Sequence, residues 1–483
     1  MIKSEKILSN FIWRFAERVG AQGVKLFVEL VLARILLPDD YGVIALVTVF
    51  ITILNVFVDS GLGNALIQKK DADDLDFSSV FWFNIVWCLV LYGILFYAAP
   101  IIASFYGRVE LTNILRILGL QVIISGVKNV QQAYVSRTMQ FKRFFFATLG
   151  GTIGAAVIGI WMAYHGYGVW ALVTQQLFNS LVDTIILWIT VKWKPKRLFS
   201  LTRLKTLFTY GWKLLISSLL DTTYTEIRQL IIGKRYSSSD LAFYNRGEQF
   251  PKFFVGNVNT AIDSVLLPVM SKAQDHADEV KSMTRRAMKI STYVMAPMMM
   301  GLAFIGEPVV RLILTEKWLP CVPFMRIFCI TYMFYPVHTA NLNAIKAMGR
   351  SDLFLKLEIV KKIMGLTVLL LTMWHGVMVM AYSLLFTSVL SQIINSWPNK
   401  KLLNYSYLEQ LKDILPGILL AVVMGCCVYP IQWLGLPDIV TLLIQVPLGA
   451  GIYIGVSALL KLDSFTYIWG LVSPILKKLR YRK

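Results

Sequence analysis

Residues 41–63 read YGVIALVTVFITILNVFVDSGLG, an almost unbroken apolar run in which Asp59 is the only charged residue. A helix needs about 20 mostly apolar residues to cross the hydrocarbon core of a membrane. Such runs recur along the chain of 483 residues, of which 56% are hydrophobic and only 16% are charged. Because soluble domains are about 25% charged, this composition excludes a soluble enzyme, a disordered chain and a disulfide-stapled secreted domain. The apolar residues form runs rather than alternating, which also argues against a transmembrane β-barrel.

Fourteen apolar runs predict fourteen membrane-spanning helices and an all-α integral membrane protein. The runs lie near 12–36, 41–63, 78–104, 111–136, 144–164, 168–191, 207–232, 247–270, 286–308, 320–346, 354–374, 377–397, 412–434 and 438–461. The segments between them are too short to fold as separate domains. The first run contains several charged residues, which is unlike the core of a signal peptide, so it is predicted to stay in the mature protein.

The distribution of Lys and Arg predicts the orientation of these helices. An even number of spans places both termini on one side of the membrane, and the segments on that side hold 29 Lys and Arg residues against six on the other. Cytoplasmic loops carry such an excess, so both termini are predicted to be cytoplasmic. The most basic loop, 192–206, holds six of these cations. The net charge of +20 therefore reflects topology, and nucleic acid is not an expected partner.

Short patterns repeat between the two halves of the chain. Residues 34–42 are similar to residues 234–242, and residues 138–143 are similar to residues 347–352. An offset of six helices preserves direction through the membrane, so the halves are predicted to be parallel repeats. The predicted organisation is a six-helix bundle at 1–191, a basic linker at 192–206, a second six-helix bundle at 207–400, two additional helices at 401–462 and a basic cytoplasmic tail at 463–483.

Polar residues form a stripe along the first predicted helix. Five of them follow helical spacing within an arc of about 80°: Arg14, Arg18, Gln22, Lys25 and Glu29. Each cation that faced lipid at the centre of the bilayer would cost about 2.5–3.5 kcal/mol. The stripe is therefore expected to face a water-filled cavity or partner charges.

The seventh predicted helix repeats this pattern 199 residues later. Its stripe consists of Lys213, Ser217, Asp221, Tyr224 and Arg228. Because the two helices occupy equivalent positions in the repeat, both are predicted to line one central cavity between the halves. The alternative is that their charges join helices as structural ion pairs, or extend to the membrane surface where they lie near a helix end.

Weaker polar stripes lie on two further helices. The fourth predicted helix contributes Gln121, Ser125, Lys128 and Gln132, and the tenth contributes Tyr335, His338 and Asn341. His338 and Asn341, like Gln22 of the first helix, are predicted to be polar residues of the cavity. His338 is interpreted as a helix–helix hydrogen-bonding residue rather than a proton relay. Three carboxylates are candidates for coupling transport to protons or cations: Glu29, Asp221 and Asp263.

The sequence contains no pattern typical of catalysis. A phosphate-binding Gly-rich loop, a cluster with metal-ligand spacing and a nucleophile–base set are all missing. No catalytic residue, metal site or cofactor is therefore predicted, and the protein is not expected to be an enzyme.

Three stretches carry a family resemblance. They are Arg18-x3-Gln22, residues 32–42 (LARILLPDDYG) and residues 59–68 (DSGLGNALIQ). Together with residues 347–350 (AMGR), they resemble Wzx-type flippases of the multidrug/oligosaccharidyl-lipid/polysaccharide superfamily, in the branch of the colanic acid and teichuronic acid exporters. The resemblance covers essentially the whole chain.

The resemblance implies two six-helix bundles around a central cavity, with two added C-terminal helices. It also implies that the cargo is an undecaprenyl-diphosphate-linked oligosaccharide, which is moved across the bacterial cytoplasmic membrane for the synthesis of surface polysaccharide. Membrane lipids, glycosyltransferases and a polysaccharide polymerase are the implied partners. The candidate anion-binding residues are then Arg14, Arg18, Lys25, Lys128, Lys213 and Arg228.

Two other functions stay open at this point. An ion-coupled multidrug exporter of the same fold would favour acidic residues in its cavity, whereas the first and seventh helices carry five cations against two anions in their stripes. A membrane-bound glycan polymerase or ligase would need a large outer loop, and the predicted outer loops are short.

Overall fold

The computed structural model describes residues 20, 23–59, 61–140 and 142–480, and in this part of the chain every regular element is a helix. The predicted all-α class is therefore confirmed. The first helices are α1 (23–35), α2 (Pro38–Asp59), α3 (Leu62–Gln68), α4 (Asp74–Tyr106), α5 (Glu110–Leu118), α6 (Leu120–Arg137), α7 (Lys142–Tyr164), α8 (Val169–Thr190), α9 (Leu201–Arg235) and α10 (Ser238–Lys272). The remaining helices are α11 (Ala277–Phe304), α12 (Gly306–Leu314), α13 (Val322–Met333), α14 (Tyr335–Ala347), α15 (Ser351–Thr372), α16 (Val377–Leu402), α17 (Tyr407–Val428), α18 (Asp438–Leu459) and α19 (Asp463–Arg480).

Nine helical segments among the described residues are long and apolar enough to cross a membrane, which makes the chain a multi-pass membrane protein. The number is ten if α11 and α12, which meet at an angle of 69°, are counted as one broken span. Every predicted run from 41–63 onward overlaps a helix or a broken helix pair. The count of fourteen spans is not confirmed, because α9, α10 and α15 are not among these segments and the run at 12–36 is described only in part.

Local sequence signals set where helices begin. The Asp73 carboxylate accepts a hydrogen bond from the Asp76 backbone N–H at 3.0 Å, and the Asp76 carboxylate accepts one from the Asp73 N–H at 3.2 Å. This capping box satisfies N–H groups that have no partner within α4. The hydrogen bond from the Asp76 N–H also lowers the pKa of the Asp73 carboxyl. Ser406 and Glu409 form the same box at the start of α17.

The chain divides into two compact units, one ending at Ala242 and the other beginning at Phe243. This boundary lies within α10, whereas the boundary between the two predicted bundles lies in the segment 192–206. In the first unit α9 packs against α2, α3 and α4. The bundle boundaries stay a prediction, and α9 is described below as part of the first unit.

Two glycines let α9 and the start of α10 lie directly against α2 and α3. Gly61, between α2 and α3, has a φ of 68°, and a Cβ atom there would lie 2.3 Å from the carbonyl oxygen of Gly211 in α9. A Cβ atom at Gly42 would lie 1.8 Å from the carbonyl oxygen of Ser238. Gly42 and Ser238 belong to the two similar segments 34–42 and 234–242. The repeated segments therefore contact each other, and only glycine fits at these two positions.

The basic segment between α8 and α9 packs against other parts of the first unit. Trp193 is buried in an apolar cluster with Phe77 and Phe81, and its ring stacks on Tyr134 at 6.1 Å between centroids. In the second unit, α11 packs against α13, α14 and α17, with α16 against α13, α14 and α15.

Candidate substrate-binding surface

The long helix α9 carries the predicted polar stripe of the seventh helix on an exposed side. Four stripe residues are exposed: Lys213, Ser217, Asp221 and Tyr224. Arg228, one turn further along, is buried at 9% exposure. Leu204 and Leu207, at the start of the same helix, are buried in the apolar cluster of the first unit. The helix thus packs through apolar residues at its start, and its exposed side bears the polar stripe next to the apolar residues Trp212, Ile216 and Leu220.

Helix α1 carries the described part of the first stripe. The Lys25 side chain is 71% exposed and its Nζ lies 3.8 Å from Oε1 of Glu29, whose side chain is 20% exposed. Val28 and Leu32, on another side of α1, are buried in the core of the first unit. Arg14, Arg18 and Gln22 lie outside the described residues. The structure thus gives Lys25 and Glu29 a partly exposed polar side and leaves the remainder of this stripe a prediction.

The weaker stripe on α6 has a different setting, because it contacts α8. Lys128 Nζ lies 3.0 Å from Oδ2 of Asp183, and both side chains are mostly buried, at 17% and 14% exposure. Two helical turns earlier on α6, the side-chain amide of Gln121 donates to Ser180 Oγ at 3.1 Å. These contacts are those of a structural ion pair and hydrogen bond between two helices.

The residues His338 and Asn341 of α14 lie in a buried polar network of the second unit. His338 contacts the side chain of Asn395 at 3.1 Å, and the Asn341 amide donates to Gln410 at 2.9 Å. The side-chain amide of Asn399 donates to Asn341 Oδ1 at 2.6 Å. This agrees with the interpretation of His338 as a packed hydrogen-bonding residue. The side chain of Asp263 is outside the described part of α10, so its candidacy for ion coupling stays a prediction.

The segment 192–200 anchors the start of α9 to the N-terminal end of α4. The Lys196 N–H donates to Ser78 Oγ at 3.0 Å, and the Ser200 N–H donates to Ser79 Oγ at 2.9 Å. The Trp193 indole N–H donates to the Asp74 carboxylate at 3.1 Å. These hydrogen bonds hold the segment before α9 against α4, and therefore fix the position at which α9 begins.

Two carboxylates that sequence reasoning did not assign prove to be partners of α6. Asp183 pairs with Lys128, and Asp59 accepts a hydrogen bond from the Asn129 amide at 2.7 Å. Each is an acidic residue within an otherwise apolar run. Their position could have identified them from the sequence, because a carboxylate inside a membrane-spanning run needs a partner.

The described residues do not offer the arrangement of side chains that a metal ion needs. Among residues 20, 23–59, 61–140 and 142–480, no group of three or more His, Cys, Asp or Glu side chains is placed to hold a metal ion. The five cysteines are free thiols, three of them buried. What the surface offers is exposed cations and hydrogen-bonding groups on α1 and α9.

Comparison with known proteins places this arrangement among membrane proteins of polysaccharide synthesis. A family model described as "Polysaccharide biosynthesis protein" matches residues 31–323. The teichuronic acid biosynthesis protein TuaB of Bacillus subtilis is 24% identical over 383 residues, which are 78% of this chain and 79% of TuaB. The lipopolysaccharide biosynthesis protein WzxC of Escherichia coli is 21% identical over 394 residues, covering 81% of this chain and 80% of WzxC.

A solved structure has the same fold over nearly the whole chain. The lipid II flippase MurJ in an inward closed conformation superposes with a TM-score of 0.76, covering 94% of this chain and 99% of that one. The sequence identity is 14%, so this similarity concerns the fold alone.

Proposed function

We propose, given that this chain belongs to the polysaccharide biosynthesis protein family, that it moves a lipid-linked oligosaccharide from one leaflet of the membrane to the other. The observation that carries the proposal is the exposed polar side of α9. A membrane-spanning helix with Lys213 on such a side needs an aqueous space beside it, because a cation that faced lipid at the centre of the bilayer would cost about 2.5–3.5 kcal/mol.

The cargo in this proposal is an undecaprenyl-diphosphate-linked repeat unit. The diphosphate and the sugars cannot cross hydrocarbon unaided, whereas the polyprenyl chain is soluble in it. A polar surface that is open sideways to the bilayer solves both problems, because it shelters the head group while the tail stays in lipid. The excess of cations on the stripes of the first and seventh helices favours an anionic head group over a cationic drug.

The roles of individual residues follow from their placement. Lys213 and Lys25 are exposed and can contact a phosphate directly, through charge-assisted hydrogen bonds. Arg228, the last residue of the stripe, is buried and would contact the cargo only at the end of the exposed surface. We assign Arg14, Arg18 and Gln22 to the same surface from their spacing alone. Several moderate contacts suit transport, because a single tight site would not release its cargo.

The finer architecture is part of the same proposal. It comprises fourteen spans, two six-helix bundles that open alternately to each side of the cytoplasmic membrane, and both termini in the cytoplasm. The excess of Lys and Arg in the predicted inner segments supports this orientation. Glycosyltransferases that build the repeat unit and a polymerase that consumes it are the expected functional partners.

The proposal is tested in cells that lack this protein and carry variants of it. Lys213→Gln should leave protein abundance unchanged, and both it and the double variant Lys213→Gln, Arg228→Gln, compared at matched abundance, should lower the amount of surface polysaccharide and cause lipid-linked repeat units to accumulate. Lys205→Gln is the matched control, because Lys205 is an exposed lysine on α9 outside the stripe. Normal surface polysaccharide from a well-expressed double variant would overturn the assigned residues. Absence of accumulated lipid-linked units in cells without the protein would overturn the function.

A further inference from the structure

Helix α19 begins where a membrane span ends, without being a candidate span itself. The candidate span α18 ends at Leu459, and residues 460–462 connect it to the start of α19 at Asp463. Lys461 in this connection has a φ of 48°, a left-handed backbone conformation that occurs mostly in turns. Among the described residues, α19 is not one of the segments that are long and apolar enough to cross a membrane. It therefore begins close to a membrane surface.

The sequence of α19 separates apolar from polar residues by helical spacing. At 100° per residue, seven large apolar residues fall within an arc of about 120°: Phe465, Ile468, Trp469, Val472, Ile475, Leu476 and Leu479. We call this set the apolar arc, and Leu471 lies outside it. A helix of this kind buries its apolar arc either against protein or in a lipid surface.

Three contacts hold the start of α19 against α11, and they come from another side of the helix. Lys289 Nζ lies 3.0 Å from Oδ2 of Asp463, and Ser464 Oγ donates to the Lys289 carbonyl oxygen at 3.4 Å. The Arg286 guanidinium lies 4.9 Å from the centroid of the Tyr467 ring. By helical spacing, positions 463, 464 and 467 lie about 80° or more from the centre of the apolar arc. These contacts fix the start of α19 and leave the centre of the arc directed elsewhere.

Trp469 lies on the apolar arc and is exposed. It is 53% exposed, and its ring stacks on Phe465 at 5.9 Å between centroids. Phe465 and Ile468, nearer to the start of the helix, are partly buried. Tryptophan is enriched where hydrocarbon meets water, because its ring is apolar and its N–H can donate a hydrogen bond. An exposed tryptophan on an apolar arc, next to the end of a span, favours a lipid surface as the partner of the arc.

The last turns of α19 are cationic. By helical spacing Lys477, Lys478 and Arg480 lie outside the apolar arc, with Lys478 and Arg480 beyond its opposite edges. Two more cations, Arg482 and Lys483, follow outside the described residues. Helices with an apolar arc and flanking Lys and Arg bind in the plane of anionic membranes, because the long cationic side chains reach the phosphates while the apolar residues enter the acyl chains. The charge of α19 therefore complements acidic phospholipids.

We propose that α19 is an interfacial helix that binds acidic phospholipids. It lies in the plane of the membrane surface next to the end of α18, with its apolar arc in the upper part of the acyl chains and its cations on lipid phosphates. Through Lys289 and Arg286 the bound helix connects the membrane surface with α11, which packs against α13, α14 and α17. This inference is independent of which cargo the protein moves.

The test is a spin-label scan of α19 in the full-length protein. Cys426 and Cys427, the exposed cysteines of α17, are replaced with alanine, and single cysteines are introduced from 465 to 476 and labelled with a nitroxide. The protein is placed in nanodiscs that contain phosphatidylglycerol, and collisions of the label with oxygen and with a water-soluble nickel complex are measured. The ratio of oxygen to nickel accessibility should be high at 469, 472 and 476 and low at 466, 470 and 473.

Three other results would each overturn the proposal. A helix surrounded by water gives high nickel accessibility at every position. A second copy, or another part of the chain, that covers the apolar arc gives low accessibility to both reagents at 469, 472 and 476. A membrane span gives a steady change of the ratio along the helix instead of an alternation.

A triple variant examines the role of the acidic head group. Lys477→Gln, Lys478→Gln, Arg480→Gln should weaken docking about 100-fold, because each cation near an anionic surface contributes about fivefold to binding. The alternation of the ratio should then be lost, as it should be for the parent protein in nanodiscs of phosphatidylcholine alone. An alternation that persisted unchanged in either case would overturn the assignment to acidic phospholipids.

The matched control removes the same charge elsewhere in the second unit. It is the triple variant Lys400→Gln, Lys401→Gln, Lys412→Gln, which changes three exposed lysines on α16 and α17. The alternation should be kept, because these lysines are not part of α19. Equal loss of the alternation in both triple variants would show that total charge, and not α19, sets the docking, and would overturn the proposal.

Discussion

Helices α6 and α9 both carry polar residues at helical spacing, yet the structure uses them in opposite ways. On α6 the ammonium of Lys128 is paired with Asp183 of the neighbouring helix, and both side chains are mostly buried. On α9, Lys213 and Asp221 are exposed, while Leu204 and its apolar neighbours make the packing contact. A polar stripe in an apolar helix therefore indicates either a joint between helices or a wet surface. The partner on the adjacent helix decides which.

The largest effect is expected from breaking the joint on α6. Asp183→Ala leaves the Lys128 ammonium without its carboxylate between two helices. Breaking a buried ion pair costs about 3–5 kcal/mol, and we expect the lower end here because both side chains keep some exposure. The thermal unfolding midpoint of the purified protein in detergent should fall sharply. The double variant Lys128→Met, Asp183→Leu removes both charges and should recover most of the loss. A single variant as stable as the parent would show that this pair is not a joint.

A smaller effect is expected on the packed side of α9. Gly61→Ala places a Cβ atom 2.3 Å from the carbonyl oxygen of Gly211, at a φ of 68° that alanine adopts with strain. Strain and displacement together should cost about 2–3 kcal/mol. Gly93→Ala, on α4 with nothing near the added Cβ atom, is the matched control and should be neutral or slightly stabilising. Equal unfolding midpoints for the two variants would mean that α9 is not held at this point.

The effect on stability should be smaller still on the exposed side of α9. Lys213→Gln removes an exposed charge and should change the free energy of unfolding by no more than about 0.5 kcal/mol. Polysaccharide export should nevertheless fall, because the proposed contact to phosphate is lost. The two variants should therefore have opposite defects. Asp183→Ala should lose stability, and Lys213→Gln should lose export activity. If Lys213→Gln lowered the unfolding midpoint as much as Asp183→Ala does, the stripe of α9 would be a joint as well.

On α1 the same reasoning predicts almost no effect on folding. The exposed Lys25 lies one helical turn before Glu29, and ion pairs of this spacing on a helix surface contribute about 0.3–0.5 kcal/mol. Lys25→Gln should therefore be produced at the level of the parent protein while lowering export. Loss of the protein from the membrane, measured by immunoblotting, would contradict the exposed placement of Lys25.

The sequence contained much of the fold because apolar runs and helix-start signals are local. The run at 41–63 predicts α2 on length alone, and the acidic residues that begin α4 form a capping box with their own neighbours. The break at Gly61 is different. Its reason is the backbone of Gly211, which is 150 residues away along the chain.

In the candidate site, too, local features could be predicted from the sequence and contacts between distant residues could not. The spacing of Lys213, Ser217 and Asp221 was enough to predict a polar side of α9. The pairing of Lys128 with Asp183 depends on which helix lies beside α6, which spacing within one helix does not contain.

Transport itself is tested most directly in proteoliposomes that contain only this protein. A fluorescent undecaprenyl-diphosphate oligosaccharide is placed in both leaflets, and an impermeant reductant destroys the fluorescence that faces outward. The parent protein and Lys205→Gln should let the inner fluorescence become accessible quickly. The double variant Lys213→Gln, Arg228→Gln, incorporated to the same amount, should retain the inner fluorescence as protein-free liposomes do. Transfer by the double variant at the parent rate would show that the exposed polar side of α9 does not carry the cargo.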